Sequence, residues 1–233
     1  MALALAGAVL AGCAAPQAQR LEDERPADLP ARAGVDAVPF YPQERYQCGP
    51  AALATLLVHR GVETSPEALV DEVYLPARRG SLQAEMRAAV RARGLVPYPL
   101  APRLTDLLAE LASGRPVLVL QNLGLDWIPR WHYAVAVAYD LERERIVLRS
   151  GTVRRRETAL ANFERTWARG NHWGQVVVPP DEPPATAAPA RAARSATAAR
   201  CSSSVMETRS WGPPLKNPRA RPGDASPPPM PPP

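Results

Sequence analysis

The feature that most restricts the fold of this chain is the uneven distribution of its prolines. Thirteen of the 28 prolines in the 233 residues lie in the last 53 residues, from Asp181 to Pro233. That segment is otherwise rich in Ala, Ser and Arg, and it has too few large aliphatic side chains to offset the entropy of ordering. We therefore expect a disordered tail over 181–233 and a single folded domain over 36–180.

The positive charge of the chain is concentrated outside this domain. The formal net charge is +5 at pH 7, and the tail contributes +3 of it. The small excess that remains argues against a nucleic-acid-binding module, so no nucleic acid is expected as a partner. The one dense basic run of the domain, Arg154–Arg156, is expected to be a solvated hairpin or loop.

The first thirteen residues resemble a bacterial lipoprotein signal peptide. The stretch 1–10 is almost entirely Ala, Leu and Val, which is too short to span a bilayer but has the length of a signal-peptide core. It ends in Leu10-Ala11-Gly12-Cys13, which is similar to the lipobox whose cysteine receives diacylglycerol. The run lacks the Lys or Arg that normally precedes such a core, so a plain secretory signal is the alternative.

Lipidation of Cys13 would anchor the protein to a membrane that it does not span. Ala14 follows the cysteine, and by resemblance to Gram-negative lipoproteins this predicts the outer membrane of the bacterial cell envelope, on the periplasmic side. The residues 14–35 are polar and are expected to form a tether between the signal 1–13 and the domain.

Within the domain, the pattern changes from helical to strand-like along the chain. Helices are expected over 50–59, from Ser65 to about 74, from Ser81 to 93 and over 104–113, since their ends carry Pro, Ser and Gly at the usual positions. Strands are expected over 116–120, 132–139, 146–148 and 173–178, with a further helix over 158–167. Helices followed by an antiparallel meander indicate an α+β domain.

Cys48 stands at the start of the first of these helices, where the peptide dipoles lower the pKa of a thiol. Gly49 leaves room for a substrate backbone beside the sulfur, and Pro50 needs no hydrogen-bond acceptor in the first helical turn. Gln43 carries a side-chain amide able to donate, and His132 opens a buried strand. A nucleophilic cysteine requires a base that can be distant in sequence but adjacent in the fold.

These residues resemble the family-39 cysteine peptidases, which are papain-like domains best known for trimming double-glycine leaders from bacteriocin precursors. The resemblance rests on Gln43, on Cys-Gly-Pro-Ala-Ala-Leu-Ala-Thr-Leu-Leu from Cys48 and on His-Tyr-Ala-Val-Ala-Val-Ala-Tyr-Asp from His132, and it covers roughly 38–178. It implies a papain-like fold with N-terminal helices packed on an antiparallel sheet. It also implies a peptide or protein substrate, Cys48 as nucleophile, His132 as the base that holds it as a thiolate, and Gln43 as oxyanion donor.

Two departures from the family pattern concern this site. The spacing from Gln43 to Cys48 is one residue shorter than in the family, and Ser150 stands where the family usually has an Asp. A hydroxyl can orient the imidazole of His132 but cannot stabilise its charge. The alternatives are therefore a dyad with Ser150 as a weak third member, or a peptidase that is slow or lost. Other candidates for the third position rank lower: Asp140, Asp126 and Asn122.

No metal or cofactor is expected, because the three histidines have no Cys or Asp cluster at ligand spacing and the glycines form no phosphate loop. Trp127, Trp131 and Trp173 are expected to pack in the core or its rim rather than to wall a peptide cleft. Two alternatives to a membrane-anchored peptidase remain. One is a non-catalytic peptide-binding lipoprotein, and the other is an acyl or amide transferase with the same Cys-His pair. The sequence identifies neither the substrate nor a role for Cys201.

Overall fold

The computed structural model describes residues 15–35, 37–43 and 47–187. The predicted signal peptide with its lipobox, and the tail beyond residue 187 with Cys201, lie outside the described residues. The described helices are α1 (Pro16–Asp23), α2 (Cys48–His59), α3 (Pro66–Val73), α4 (Gln83–Arg91), α5 (Leu104–Ala112) and α6 (Leu160–Ala168). The described strands are β1 (Arg32–Gly34), β2 (Val96–Pro99), β3 (Val117–Asn122), β4 (Trp131–Asp140), β5 (Arg145–Ser150), β6 (Val153–Ala159) and β7 (Gly174–Val178).

The described strands form one sheet in the order β2-β7-β3-β4-β5-β6, and β1 pairs with the end of β4. Every pairing is antiparallel. Strands β3 and β4 form a hairpin whose last pair is Asn122 with Trp131, so His132 lies at the hairpin end of the sheet. Helices combined with an antiparallel sheet confirm the α+β prediction.

Helices cover both faces of the sheet. On one face α2, α3 and α4 form a core in which Leu53 packs with Val135 of β4 and its neighbours. On the other face α1, α5 and α6 form a second core, in which Trp167 packs with Ala134 and its neighbours. Because side chains alternate along a strand, β4 serves both cores, and it therefore reads as a nearly continuous apolar run.

Helix α2 begins at Cys48 rather than at Pro50, and it is buried from its second residue through most of its length. The Ser65 hydroxyl accepts a hydrogen bond from the Ala68 N–H at 3.3 Å, as expected of a residue that caps α3. Ser81 does not cap α4, because that helix begins two residues later and has Leu82 at its cap position.

The described part of the predicted tether forms secondary structure and packs on the domain. Ala15, Ala18 and Leu21 recur at every third residue, which places them on one face of α1, where they are buried. The N–H groups of Gln17 and Ala18 donate to the Glu164 carboxylate of α6 at 2.9 and 2.7 Å. Residues 15–35 therefore pack on the domain and do not form the free tether that the sequence predicts.

The basic run Arg154–Arg156 lies on the exposed outer strand of the β5–β6 hairpin. Residues 181–187, at the start of the predicted tail, contact the domain. The Arg115 guanidinium pairs with Glu182 at 3.1 Å, and the Thr186 N–H donates to Glu110 at 2.8 Å. Among the helices of the described ranges, none combines the length and the apolarity that crossing a bilayer requires.

Candidate active site

A cleft of about 1190 Å³ opens where the N-terminus of α2 meets the hairpin end of the sheet. Gln43, Cys48 and His132 all lie in its wall. The buried body of α2 fixes the position of Cys48, and the pairing of β4 with β3 fixes that of His132. The structure thus brings the three residues of the predicted site to one cavity.

Cys48 is half-buried at the first position of α2. The backbone N–H groups of Tyr133, Gly49 and Cys48 itself favour the thiolate, but the larger effect of burial raises the pKa of the Cys48 thiol. In the described part of the chain, no hydrogen bond joins this thiol to the His132 ring. The site therefore favours a neutral thiol in the free protein.

Gly49 is glycine for a reason that the sequence did not show. A Cβ atom at this position would collide with the Oγ and Cβ atoms of Ser81, whose side chain lies directly against the start of α2. The Ser81 Oγ is buried and has no hydrogen-bond partner among the described residues, and Ser81 lines the cleft beside the nucleophile. Close packing against Ser81, rather than space left for substrate, requires glycine here.

The imidazole of His132 contacts Ser150, with 2.8 Å between Nε2 and Oγ. This contact leaves Nδ1 as the ring nitrogen available to a thiol or substrate proton. Burial, together with the smaller effects of the positive charges of Arg156 and Arg130, lowers the pKa of His132 to about 4. The ring is therefore neutral at pH 7, and it can accept a proton but stabilises the imidazolium poorly.

Of the candidates for the third position, Ser150 alone contacts the ring. Asp140 lies at the far end of β4, where its carboxylate pairs with Arg32 at 3.1 Å. The side-chain Oδ1 of Asn122 accepts two backbone N–H groups of the loop between β3 and β4. Asp126 is exposed in that loop.

The Gln43 side chain is held at both ends of its amide. Its Oε1 accepts the Gly151 N–H at 2.9 Å, and its Nε2 donates to the Tyr133 carbonyl at 3.4 Å. Since the amide nitrogen carries two protons, one N–H remains for another acceptor in the cleft. The short spacing from Gln43 to Cys48 therefore does not keep this amide away from the site.

The expectation that Trp131 and Trp173 pack in the core or its rim rather than wall a cleft is not met. Trp131 and Trp173 line the cleft, and Trp173 packs edge-on against Tyr133 with 5.8 Å between ring centroids. Four arginines also line it: Arg78, Arg79, Arg87 and Arg130. No motif in the sequence links these arginines, because they lie in separate segments that only the fold brings together. Within the described ranges, no group of three or more His, Cys, Asp or Glu residues is placed to hold a metal ion.

Comparisons with known proteins bear on this site. The model of the Peptidase_C39 like family matches residues 35–172. A protein of Bacillus anthracis described as a C39-like peptidase is similar in structure, at 17% identity and a TM-score of 0.52, over 63% of this chain and 97% of that chain.

A double glycine motif protease from an AMS/PCAT transporter, solved in complex with the leader peptide, is similar at 18% identity and a TM-score of 0.50, over 63% of this chain and 94% of that chain. The comparison with curated proteins gives no match. At these identities the two structures show the fold, which is consistent with the predicted papain-like arrangement.

Proposed function

The chain belongs to the Peptidase_C39-like family, and from this premise we propose that it is a cysteine peptidase with Cys48 as the nucleophile. Membership confirms the resemblance to the family-39 cysteine peptidases, and family and fold support a peptidase-related function. The observation that carries the proposal is the meeting of Cys48, His132 and Gln43 in the wall of one cleft. A solved structure of similar fold holds a leader peptide, which supports a peptide substrate.

In the proposed reaction, the Cys48 sulfur attacks an amide carbonyl carbon of the substrate and a C–S bond forms. The thiol proton passes to His132, and the oxyanion accepts hydrogen bonds from the Gln43 amide and the Cys48 N–H. Each such donor contributes about 3 kcal/mol to transition-state stabilisation. His132 then protonates the leaving nitrogen as the C–N bond breaks, and water hydrolyses the thioester.

We propose that this proton transfer accompanies the attack. A preformed thiolate–imidazolium pair, which the family resemblance implies, is opposed by the raised pKa of Cys48 and the lowered pKa of His132. Ser150 orients the ring by accepting a hydrogen bond from the Nε2–H group, which leaves the Nδ1 lone pair for the thiol proton.

Cleavage of a mixed peptide library by the purified chain, read by mass spectrometry, tests the proposal. We expect new peptide termini with the natural chain and none with Cys48→Ala or His132→Ala. If the natural chain produces no more termini than Cys48→Ala, the peptidase proposal is wrong.

The second candidate function is a peptide-binding protein that keeps the cleft without the chemistry. Ser150 in place of an acid favours it, because among the described residues no carboxylate forms a hydrogen bond with His132 that would stabilise the imidazolium. Retention of library peptides by the natural chain, without cleavage, would support this candidate.

We also propose that a lipid on Cys13 anchors the protein to the outer membrane, on the periplasmic side. The support is the lipobox-like Leu10-Ala11-Gly12-Cys13. Expression in a Gram-negative host with an alkyne-bearing fatty acid should label the natural chain and Cys201→Ser, but not Cys13→Ser. Label that persists in Cys13→Ser would contradict the anchor.

A further inference from the structure

The cleft carries a concentration of positive charge that the proposed reaction does not require. Arg78 and Arg79 lie just before α4, Arg87 lies on α4, and Arg130 lies just before β4, so the arginines reach the cleft from two sides. The described residues that line the cleft include no Asp or Glu. Arg78, Arg87 and Arg130 therefore meet no carboxylate among the described residues of this wall.

Arginines elsewhere in the domain are commonly paired with acids. Arg93, for example, binds Glu72 with 2.8 Å between nitrogen and oxygen. Within the described ranges, Arg78, Arg87 and Arg130 form no ion pair, and Arg87 donates to the Gln83 carbonyl at 3.3 Å. Guanidinium groups with spare N–H donors bind carboxylates in a bidentate manner.

We propose that the substrate of this cleft is an acidic peptide, whose Asp or Glu side chains pair with Arg78, Arg87 and Arg130. This proposal rests on the proposed function, since it assigns the substrate class of the same site. The positive field already reaches His132, because Arg130 and Arg156 lower the pKa of its ring. An acidic peptide beside Arg130 would offset part of that field.

Binding to the full chain with Cys48→Ala tests the substrate class without requiring cleavage. Two labelled peptides are compared by fluorescence anisotropy: one contains Glu and Asp, and the other has Gln and Asn at the same positions. We expect the acidic peptide to bind at least tenfold more tightly at low salt, with a difference that shrinks as salt screens the charges. Equal affinities would overturn the proposal.

Substitutions locate the effect. Arg130→Gln and Arg87→Gln should each reduce the preference severalfold, whereas Arg91→Gln, on the same helix as Arg87 but outside the cleft lining, should not. An unchanged preference in the first two variants would contradict the assignment. If vesicles of anionic lipid bind the cleft arginines and neither peptide binds, an anionic headgroup is the ligand and the proposal is wrong. If the natural chain prefers the acidic peptide but cleaves no peptide, the proposal that it is a peptidase is wrong, whereas the proposal that the cleft binds acidic peptides is retained.

A different observation carries a second inference. The loop between β3 and β4 exposes five large apolar side chains, with Trp127 75% exposed. They are Leu123, Leu125, Trp127, Ile128 and, as β4 begins, Trp131. Apolar patches of this kind mark interaction sites.

The backbone of this loop is hydrogen-bonded internally. Leu125 and Ile128 exchange two N–H to carbonyl bonds of 3.2 Å, and the Leu123 N–H donates to the Arg130 carbonyl at 2.9 Å. The side-chain Oδ1 of Asn122 accepts the N–H groups of Gly124 and Arg130 at 2.9 and 2.8 Å. These internal bonds leave fewer backbone groups that would lose their water partners when the loop enters a bilayer interface.

The start of α1 lies at the same end of the sheet as this loop. The Gln17 amide contacts His172 Nε2 at 3.3 Å and donates to the Pro102 carbonyl at 3.2 Å. Arg169, on the turn that leads to His172, donates to the Asn122 carbonyl at the base of the loop. Cys13 precedes Ala15 by only two residues, a span of about 7 Å at most.

We infer that the loop 123–128 enters the interfacial region of a lipid bilayer, on the side of the domain from which α1 begins. Tryptophan favours this depth because its ring is amphipathic. The packing of α1 leaves no long tether, so a lipid on Cys13 would hold this edge of the domain close to the bilayer.

Flotation with zwitterionic phosphatidylcholine vesicles tests the loop by itself, using the full chain with Cys13→Ser so that no acyl chain contributes. We expect the double substitution Trp127→Ser and Ile128→Ser to lower the vesicle-bound fraction at least fivefold. Val153→Ser, at an exposed apolar residue of β6, should leave it unchanged. Equal flotation of the two variants, or no flotation of the parent, would overturn the inference.

Discussion

Replacing Ser150 by Asp tests whether the missing acid sets the charge state of the site. The Ser150 Oγ lies 2.8 Å from His132 Nε2, so a carboxylate there would lie about 4 Å from the centre of the imidazolium charge. At an effective dielectric constant of about 20, this attraction is worth about 4 kcal/mol, or about 3 pKa units. Burial of the new carboxylate opposes ionisation, so we expect the pKa of His132 to rise from about 4 by about 2 units.

NMR titration measures this pKa directly, because the chain has only three histidines and His132→Asn identifies the signal. Ser150→Asn is the matched control, since it keeps a polar group beside the ring but adds no charge, and we expect it to leave the pKa near its natural value. The cleavage rate should rise with Ser150→Asp and not with Ser150→Asn. A His132 pKa that stays below 5 in Ser150→Asp would refute the electrostatic reasoning.

Three further predictions follow from packing and charge. Because His132 has a pKa of about 4 when folded against an ordinary 6.5, the unfolded state binds more protons between these values. The free energy of unfolding, measured by urea titration, should fall by about 3 kcal/mol from pH 6.5 to pH 4. The variant His132→Asn should not show this decrease. Gly49→Ala should lower the free energy of unfolding by about 1 to 3 kcal/mol, because the new methyl group collides with Ser81. If that collision is the cause, the double variant Gly49→Ala with Ser81→Gly should recover the melting temperature of the natural chain. Iodoacetamide should label Cys48 slowly at pH 6 and much faster above pH 8, since its pKa is raised; rapid labelling at pH 6 would contradict a neutral thiol.

The elements that could be predicted from the sequence are those whose burial leaves a pattern. Strand β4 is an uninterrupted apolar run because both of its faces are covered, and α2 is apolar because it is almost wholly buried. Strand β6 was missed because it is an edge strand with exposed side chains and shows no alternation. Helix α1 could not be predicted because its few apolar residues lie in an otherwise polar segment. They become buried only by packing into the core formed with α5 and α6.

The position of the site could be predicted better than its charge state. Cys48 lies at the start of a helix and His132 at the start of a strand, and both positions can be recognised in the sequence alone. A helix N-terminus predicts a lowered thiol pKa, whereas the structure gives a raised one because burial outweighs the backbone N–H groups. Desolvation of a thiol depends on which groups pack around it. The clustering of arginines in the cleft depends on how segments that are distant in the sequence meet in the fold. Neither property follows from the local sequence.

The serine at position 150, where the family has an acid, and the arginines of the cleft both affect protonation of His132 in the proposed reaction. In the free protein, His132 lies in a positive field, and no carboxylate of the described ranges is bonded to its ring, which disfavours the imidazolium that the reaction must form. An acidic substrate next to Arg130 would add the missing negative charge, so binding would itself raise the pKa of the base. Ser150→Asp should then narrow the ratio of kcat/KM between acidic and neutral peptides, because the protein would supply that charge for both. If the ratio is unchanged in Ser150→Asp, the arginines act in binding alone.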